Sequence, residues 1–148
     1  MKVEQIYTGC LSQASYLIVS NNEVAIIDPI RDIDLYLKKI KKYGNLNVKY
    51  IFETHFHADF VSGHLDLAKF FNSKIVFGPG ADTSYDIHEG RDNEEFKLGD
   101  VVIKLLHTPG HTLESSCYLL IDKSGNNNAL FSGDTIFIGD VGRPDLAV

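Results

Sequence analysis

Thr54-His55-Phe56-His57-Ala58-Asp59 comes just after the β-branched and aromatic run Val48 to Phe52, so two imidazoles and a carboxylate stand at the end of a strand. Two further apolar runs have the same ending. Val101 to Leu106 leads into His107-Thr108-Pro109-Gly110-His111-Thr112, and Ala129 to Phe131 leads into Ser132-Gly133-Asp134-Thr135. Borderline divalent metals take neutral imidazole nitrogens and carboxylate oxygens, and ligands delivered from strand-to-loop turns converge on one point without a helix to space them. The alternative, a polar loop with incidental histidines, suits a lone histidine better than three such segments in succession. A fold for this chain therefore has to bring several strand ends to one edge.

Taken in order, these motifs resemble the metallo-β-lactamase superfamily, and the match extends from Ser15-Tyr16-Leu17-Ile18 and Ile26-Ile27-Asp28-Pro29 onward. Within it, Glu53-Thr54-His55-Phe56-His57-Ala58-Asp59-Phe60, His107-Thr108-Pro109-Gly110-His111-Thr112 and Gly139-Asp140-Val141-Gly142-Arg143-Pro144-Asp145-Leu146 look like the persulfide dioxygenase branch, in particular members whose domain precedes rhodanese domains. Phe60 stands where dinuclear hydrolases carry another histidine, and a phenyl ring cannot ligate a metal. The ligands that the resemblance assigns to a single iron, His55, His111 and Asp134, are all present. The resemblance implies an α+β fold, the αββα sandwich of that superfamily, with the second half incomplete because family members continue beyond Val148. It implies one Fe(II) per chain, with zinc as an alternative occupant on isolation, and leaves room for a rhodanese domain in a longer protein.

On that reading the substrates are a low-molecular-weight thiol persulfide and O2, and the products are sulfite and the free thiol. Two imidazoles and one carboxylate leave the remaining coordination positions of a non-heme iron open, which that chemistry requires. The runner-up is a zinc-dependent thioester hydrolase of the glyoxalase II type, which Phe60 disfavours. A third reading is an inactive metal-binding fragment. His57 and Asp59 are read as groups that hydrogen-bond the ligands or a bound water, with direct ligation as the competing role. Arg143 either contacts an anionic substrate or pairs with Asp145. Gly110 and Gly133 are expected to let the backbone approach the metal loops. His64 lies four residues after Phe60, but a displacement of one helical turn is about 5 Å, too far to fill the same coordination position.

Composition narrows the partners. With 148 residues and 44% hydrophobic content the chain can hold one core, so a single domain over 1–148 is expected. The formal net charge of −6 argues against nucleic acid or an anionic membrane as partner. Lys38, Lys39, Lys41 and Lys42 read as a solvated helix face. No apolar stretch has signal-peptide or membrane-spanning length, and Cys10 and Cys117 are too sparse for a disulfide framework, so a cytoplasmic location is expected. Cys117, among apolar neighbours, reads as a small buried hydrophobe. Apolar strand surface left uncovered by an incomplete second half would favour homo-oligomers.

The elements follow from the same patterns. Strands are expected near Gln5 to Tyr7, Tyr16 to Val19, Val24 to Ile27, Val48 to Phe52, Ile75 to Phe77, Val101 to Leu106, Cys117 to Ile121 and Ala129 to Phe131. Ile33, Tyr36, Leu37 and Ile40 fall at helical spacing behind Asp32 as cap, with Gly44 as the stop. A second helix is expected from about Ser62 to Phe71, burying Leu65, Ala68 and Phe71.

Overall fold

The computed structural model describes residues 1–146; Ala147 and Val148, the end of the expected domain, lie outside the described residues. In chain order the elements are β1 (Lys2–Thr8), β2 (Gln13–Ser20), β3 (Glu23–Ile27), α1 (Asp34–Lys41), β4 (Asn47–Phe52), α2 (His64–Phe71), β5 (Lys74–Phe77), β6 (His88–Glu89), β7 (Glu95–Leu98), β8 (Val101–His107), β9 (Ser116–Ile121), β10 (Asn127–Phe131), β11 (Ile136–Phe137) and β12 (Asp140–Val141). They form a six-stranded sheet in the order β1 to β6, a four-stranded sheet β10-β9-β8-β7, and the small β11-β12 pair. The pairs β3-β4 and β4-β5 are parallel, and each needs a crossover, which α1 and α2 supply.

Strand β3 is covered on both faces, which is why Val24 to Ile27 is an unbroken apolar run rather than an alternating one. One face packs against the four-stranded sheet, where Ala25, Ile27 and Phe52 meet Leu98, Ile103, Leu105, Tyr118 and Leu120. Aromatic rings fill the middle of this layer, with the Phe52 centroid 4.7 Å from Tyr118 and 5.3 Å from Phe96. The other face lies under the helices, where Val24, Ile26 and Ile51 meet Tyr36, Ile40 and Leu67. No helix covers the outer face of the four-stranded sheet among the described residues, so three layers of the αββα sandwich are present. No helix of the described residues is long and apolar enough to cross a membrane.

Both helices depart in detail from the patterns. Helix α1 begins at Asp34; the Asp32 carboxylate accepts the Asp34 amide at 3.2 Å, but Ile33 holds the N-cap position and Asp32 is not the cap. Gly44, with φ +98°, turns the chain away as expected. Helix α2 begins at His64 because Ser62 is drawn into a bridge with Ile30 and donates its hydroxyl to the Pro29 carbonyl. That start sets the phase of the helix, so Leu67 is fully buried while Leu65 is exposed, the reverse of the expected placement of Leu65. Strand β7 has no counterpart among the expected strands. Phe96 and Leu98 do alternate with Glu95 and Lys97, but the run is short and half charged.

The strand ends meet at one edge. The Ser116 amide donates to the Thr54 carbonyl at 2.9 Å, and the Thr108 and Thr135 hydroxyls lie 3.0 Å apart. Tyr118 reaches across from the second sheet and donates its hydroxyl to the Glu53 carbonyl at 2.9 Å, satisfying β4 where it leaves its ladder.

Candidate metal centre

His55, His111 and Asp134 come together, each offering one ligand atom, with all three atoms within 4.8 Å of one another. Asp134 Oδ2 lies 3.9 Å from His55 Nε2 and 3.6 Å from His111 Nε2. Hydrogen bonding decides which ring nitrogen each histidine presents. The single hydroxyl proton of Thr54 goes to Asp28 Oδ2 at 2.8 Å, so the same oxygen accepts from His55 Nδ1 at 3.0 Å. His55 therefore carries its proton on Nδ1 and turns a bare Nε2 toward Asp134. His111 does likewise, with Nδ1 3.3 Å from the Arg143 carbonyl, which can only accept. Burial, reinforced by the charge of neighbouring His57, lowers the His55 pKa and keeps the ring neutral. Two neutral imidazoles and a carboxylate, with their free atoms aimed at one point, fit a borderline or hard divalent metal.

His57 has a different setting. Its ring is packed between His55 and Phe60, with centroids 4.1 and 4.4 Å away. Its Nε2 lies 3.2 Å from Asp28 Oδ1 and 3.6 Å from Glu53 Oε2, close enough for strong electrostatic attraction but out of line for a directed hydrogen bond. Burial alone would lower its pKa; the charges of Asp28 and Glu53 outweigh burial and raise it to about 9. Burial pushes Glu53 above the usual carboxylate range, and the nearby Asp28 charge adds to this. Asp28, Glu53 and His57 also lie within 4.8 Å of one another. Both Asp28 oxygens already accept from Thr54, and the Ser62 hydroxyl, which donates to the Pro29 carbonyl, stands 2.5 Å from Glu53 Oε1, while His57 Nε2 has no directed hydrogen bond among the described residues and faces the two carboxylates through charge alone.

The other sequence candidates take different places. Asp59 is exposed and makes no ion pair or hydrogen bond among the described residues. Arg143 pairs with Asp145 at 2.7 Å through its exposed guanidinium, and it meets the centre through its backbone carbonyl. Phe60 packs with the helix layer. His64 does not replace the missing ligand: its Nδ1 lies 3.3 Å from Glu53 and its Nε2 2.9 Å from the Tyr85 hydroxyl. His88 pairs with Glu94 at 2.7 Å, and Cys117 is buried as expected while Cys10 is exposed. Gly133 does approach Thr54 closely, but Gly110 has no heavy atom within 4 Å of where a Cβ would stand, which corrects the expectation for Gly110.

Sequence reasoning assigned no role to Asp28, Thr54 or Glu114. Asp28 carried a signal, since a carboxylate ending a wholly buried strand needs a partner, and here it holds the Thr54 amide at 2.7 Å from a backbone with φ +48°. Beside the trio opens a cleft of about 590 Å³, lined among others by Tyr7, Gln13, Tyr16, Asp134, Ile136 and Phe137.

Residues 8–147 match the model of the metallo-beta-lactamase superfamily, and the chain belongs to that superfamily. It is 34% identical over 142 residues to a protein of Schizosaccharomyces pombe named a probable hydroxyacylglutathione hydrolase, covering 93% of this chain and 54% of that one. Among solved structures, a metallo-beta-lactamase from Staphylococcus aureus subsp. aureus COL superposes with a TM-score of 0.90 at 41% identity, covering 98% of this chain and 46% of that chain. ETHE1 from Myxococcus xanthus superposes with a TM-score of 0.87 at 27% identity, covering 99% and 63%. The chain spans about half the length of the curated relatives it matches.

Proposed function

We propose that this chain is the metal-holding part of a mononuclear Fe(II) enzyme that oxidises a low-molecular-weight thiol persulfide. The observation that carries this reading is the donor set. His55, His111 and Asp134 form one complete trio, His57 Nε2 faces the Asp28 and Glu53 carboxylates, and position 60 is a phenyl ring with no donor to offer a second metal. The resemblance of the three motifs to the persulfide dioxygenase branch agrees with it.

When bound, Fe(II) would supply open coordination positions for persulfide and O2 together with the redox capacity the reaction needs. Overall, the persulfide, O2 and water become the free thiol, sulfite and two protons, with the terminal sulfur oxidised and the sulfur–sulfur bond broken. Thr54 and the Arg143 carbonyl hold His55 and His111 in the ligand tautomer. Phe60 packs apolar surface against the His57 ring, and Phe56 turns away to stack on Phe77, while Asp134, 41% exposed, faces the cleft. A cleft of this size with mixed aromatic and amide lining suits a small peptide-like thiol.

A second reading is favoured by the name of the Schizosaccharomyces pombe relative: zinc-dependent hydrolysis of a hydroxyacyl-glutathione thioester. Names of relatives favour the hydrolase, and the donor set favours the dioxygenase. Anaerobic metal analysis with oxygen-electrode turnover on glutathione persulfide separates them. The iron reading expects about one metal per chain, lost in Asp134→Ala, and O2 uptake only in the Fe(II)-loaded protein. Unchanged uptake in a zinc-loaded, iron-free protein would sink it, as would two metals per chain at full occupancy. Efficient thioester hydrolysis by the zinc form would install the second reading.

A further inference from the structure

Glu114 is 6% exposed and lies three residues after His111 in a loop with no other buried acid. One of its oxygens does two things. Oε1 accepts the Phe56 amide at 2.8 Å and the Thr112 hydroxyl at 2.8 Å. Phe56 stands between His55 and His57, and Thr112 is the residue next to His111. A single carboxylate oxygen therefore links the loop that bears one imidazole ligand to the loop that bears the other. A local turn aims it there: the Thr112 amide donates to Ser115 Oγ at 3.0 Å, and the Thr112 and Ser115 hydroxyls lie 2.7 Å apart. That turn folds Glu114 back beneath Phe56.

We infer that Glu114 is a positioning residue for the metal centre, setting the separation of His55 and His111 by clamping their two loops through Oε1. The inference rests on the reading of His55, His111 and Asp134 as a metal site. The two strands that precede these loops belong to different sheets, which the Ser116 amide on the Thr54 carbonyl and the Tyr118 hydroxyl on the Glu53 carbonyl already join before His55; Oε1 adds the directed polar contact that reaches past His55 to Phe56 and ties it to the loop of His111. The clamp is charge-assisted, which makes it shorter and stronger than a contact between neutral groups. An apolar residue at this position would leave the half-buried Phe56 amide without its acceptor, and the loop would shift to find one. Ligand orientation is sensitive to such shifts, because groups that brace metal ligands typically change affinity by about 10–100-fold when removed.

The test is Co(II) binding to the full chain, measured by competition with a chromophoric chelator and by the visible absorption bands that report ligand geometry. Glu114→Ala is expected to weaken Co(II) binding by about 10–100-fold and to alter those bands. Glu114→Gln keeps an acceptor oxygen at the end of the side chain and is expected to stay within about threefold of wild type. Wild-type affinity and spectrum in Glu114→Ala would overturn the inference. Equal losses in the alanine and glutamine variants would also overturn it, since the negative charge rather than the bridging acceptor would then be what matters. If Glu114→Ala does not fold, Thr112→Val decides: weakened binding with shifted bands supports the clamp, and unchanged binding refutes it. A wild-type chain that takes up no Co(II) would fail differently, removing the metal reading itself and the inference with it.

Discussion

Gly133→Ala probes how tightly the third ligand segment is seated against the first. Gly133 has φ +48°, a left-handed conformation that costs a residue with a Cβ about 1–2 kcal/mol. A Cβ built there would stand 2.6 Å from the Thr54 Cβ, and overpacking of this kind typically costs a further 1–3 kcal/mol, roughly. The two effects together come to about 2–5 kcal/mol, a large share of the 5–15 kcal/mol of a typical domain. The location matters as much as the amount. The atom that must move belongs to the side chain that joins Asp28 to His55, so strain released there disturbs the tautomer and aim of a ligand. Metal affinity should therefore fall together with stability. Gly110→Ala is the control. It lies one residue from His111, yet nothing stands within 4 Å of its Cβ position, so its effect should stay within about 0.5 kcal/mol. Urea unfolding of the metal-free proteins followed by circular dichroism, with Co(II) titration alongside, reads both quantities. A Gly133→Ala protein as stable as wild type, or a Gly110→Ala protein destabilised to the same degree, would refute this account of the packing.

The metal-free chain should lose stability as pH rises. The folded His57 pKa of about 9 lies above its ordinary 6.5, so its contribution is fully present below pH 6.5 and is lost as pH rises through 9. At about 1.4 kcal/mol for each pH unit between those two values, the loss comes to roughly 3 kcal/mol in all. Glu53, also raised, acts in the same direction, and urea midpoints that stay level or climb between pH 6 and 9.5 would contradict the His57 assignment. Phe60→His should raise zinc uptake above one per chain, because it places an imidazole beside His57, whose ring the phenyl now stacks against at 4.4 Å; a stoichiometry fixed at one in elemental analysis would show that Phe60 is not what limits the site. Leu130, Ile136, Phe137, Ile138 and Val141 are exposed large apolar side chains, so the chain should self-associate in sedimentation at high concentration, and a well-behaved monomer would count against this.

Much of this architecture is visible in the chain because burial leaves a pattern. Val24 to Ile27 is covered on both faces, where nothing but a run of apolar residues fits, and in β4 the buried Val48, Ile51 and Phe52 leave a similar mark although Lys49 interrupts it. The elements that the pattern hides are those whose burial is shared with charge. Strand β7 buries Phe96 and Leu98 and exposes Glu95 and Lys97, and four residues are too few for alternation to stand out. The phase of α2 is hidden for another reason. Leu65 and Leu67 both suit a helix, and the choice between them depends on where Ser62 is anchored, a contact with Pro29 and Ile30 more than thirty residues upstream.

The same division runs through the metal centre. Ligands have to be histidine or carboxylate, and it is the strand-end motifs and the family they resemble that single out His55, His111 and Asp134 as candidates among six histidines and twenty acidic residues. The groups that orient them need only be an acceptor or a donor at the right place, and many residue types qualify. A threonine, a backbone carbonyl, an aspartate and a glutamate do this work here, and apart from Thr54 beside His55 each acts on a partner distant in sequence: Asp28 on Thr54, Arg143 on His111, Glu114 on Phe56. Their roles come from the fold, which brings the ends of β3, β4, β8 and β10 to one edge. A substitution at such a position that keeps the acceptor should therefore be tolerated, whereas one that keeps size and loses the acceptor should not. On that argument Asp28→Asn, which retains one acceptor oxygen, should retain more metal affinity than Asp28→Leu, and equal affinity in the two variants would show that Asp28 does not act on His55 through Thr54.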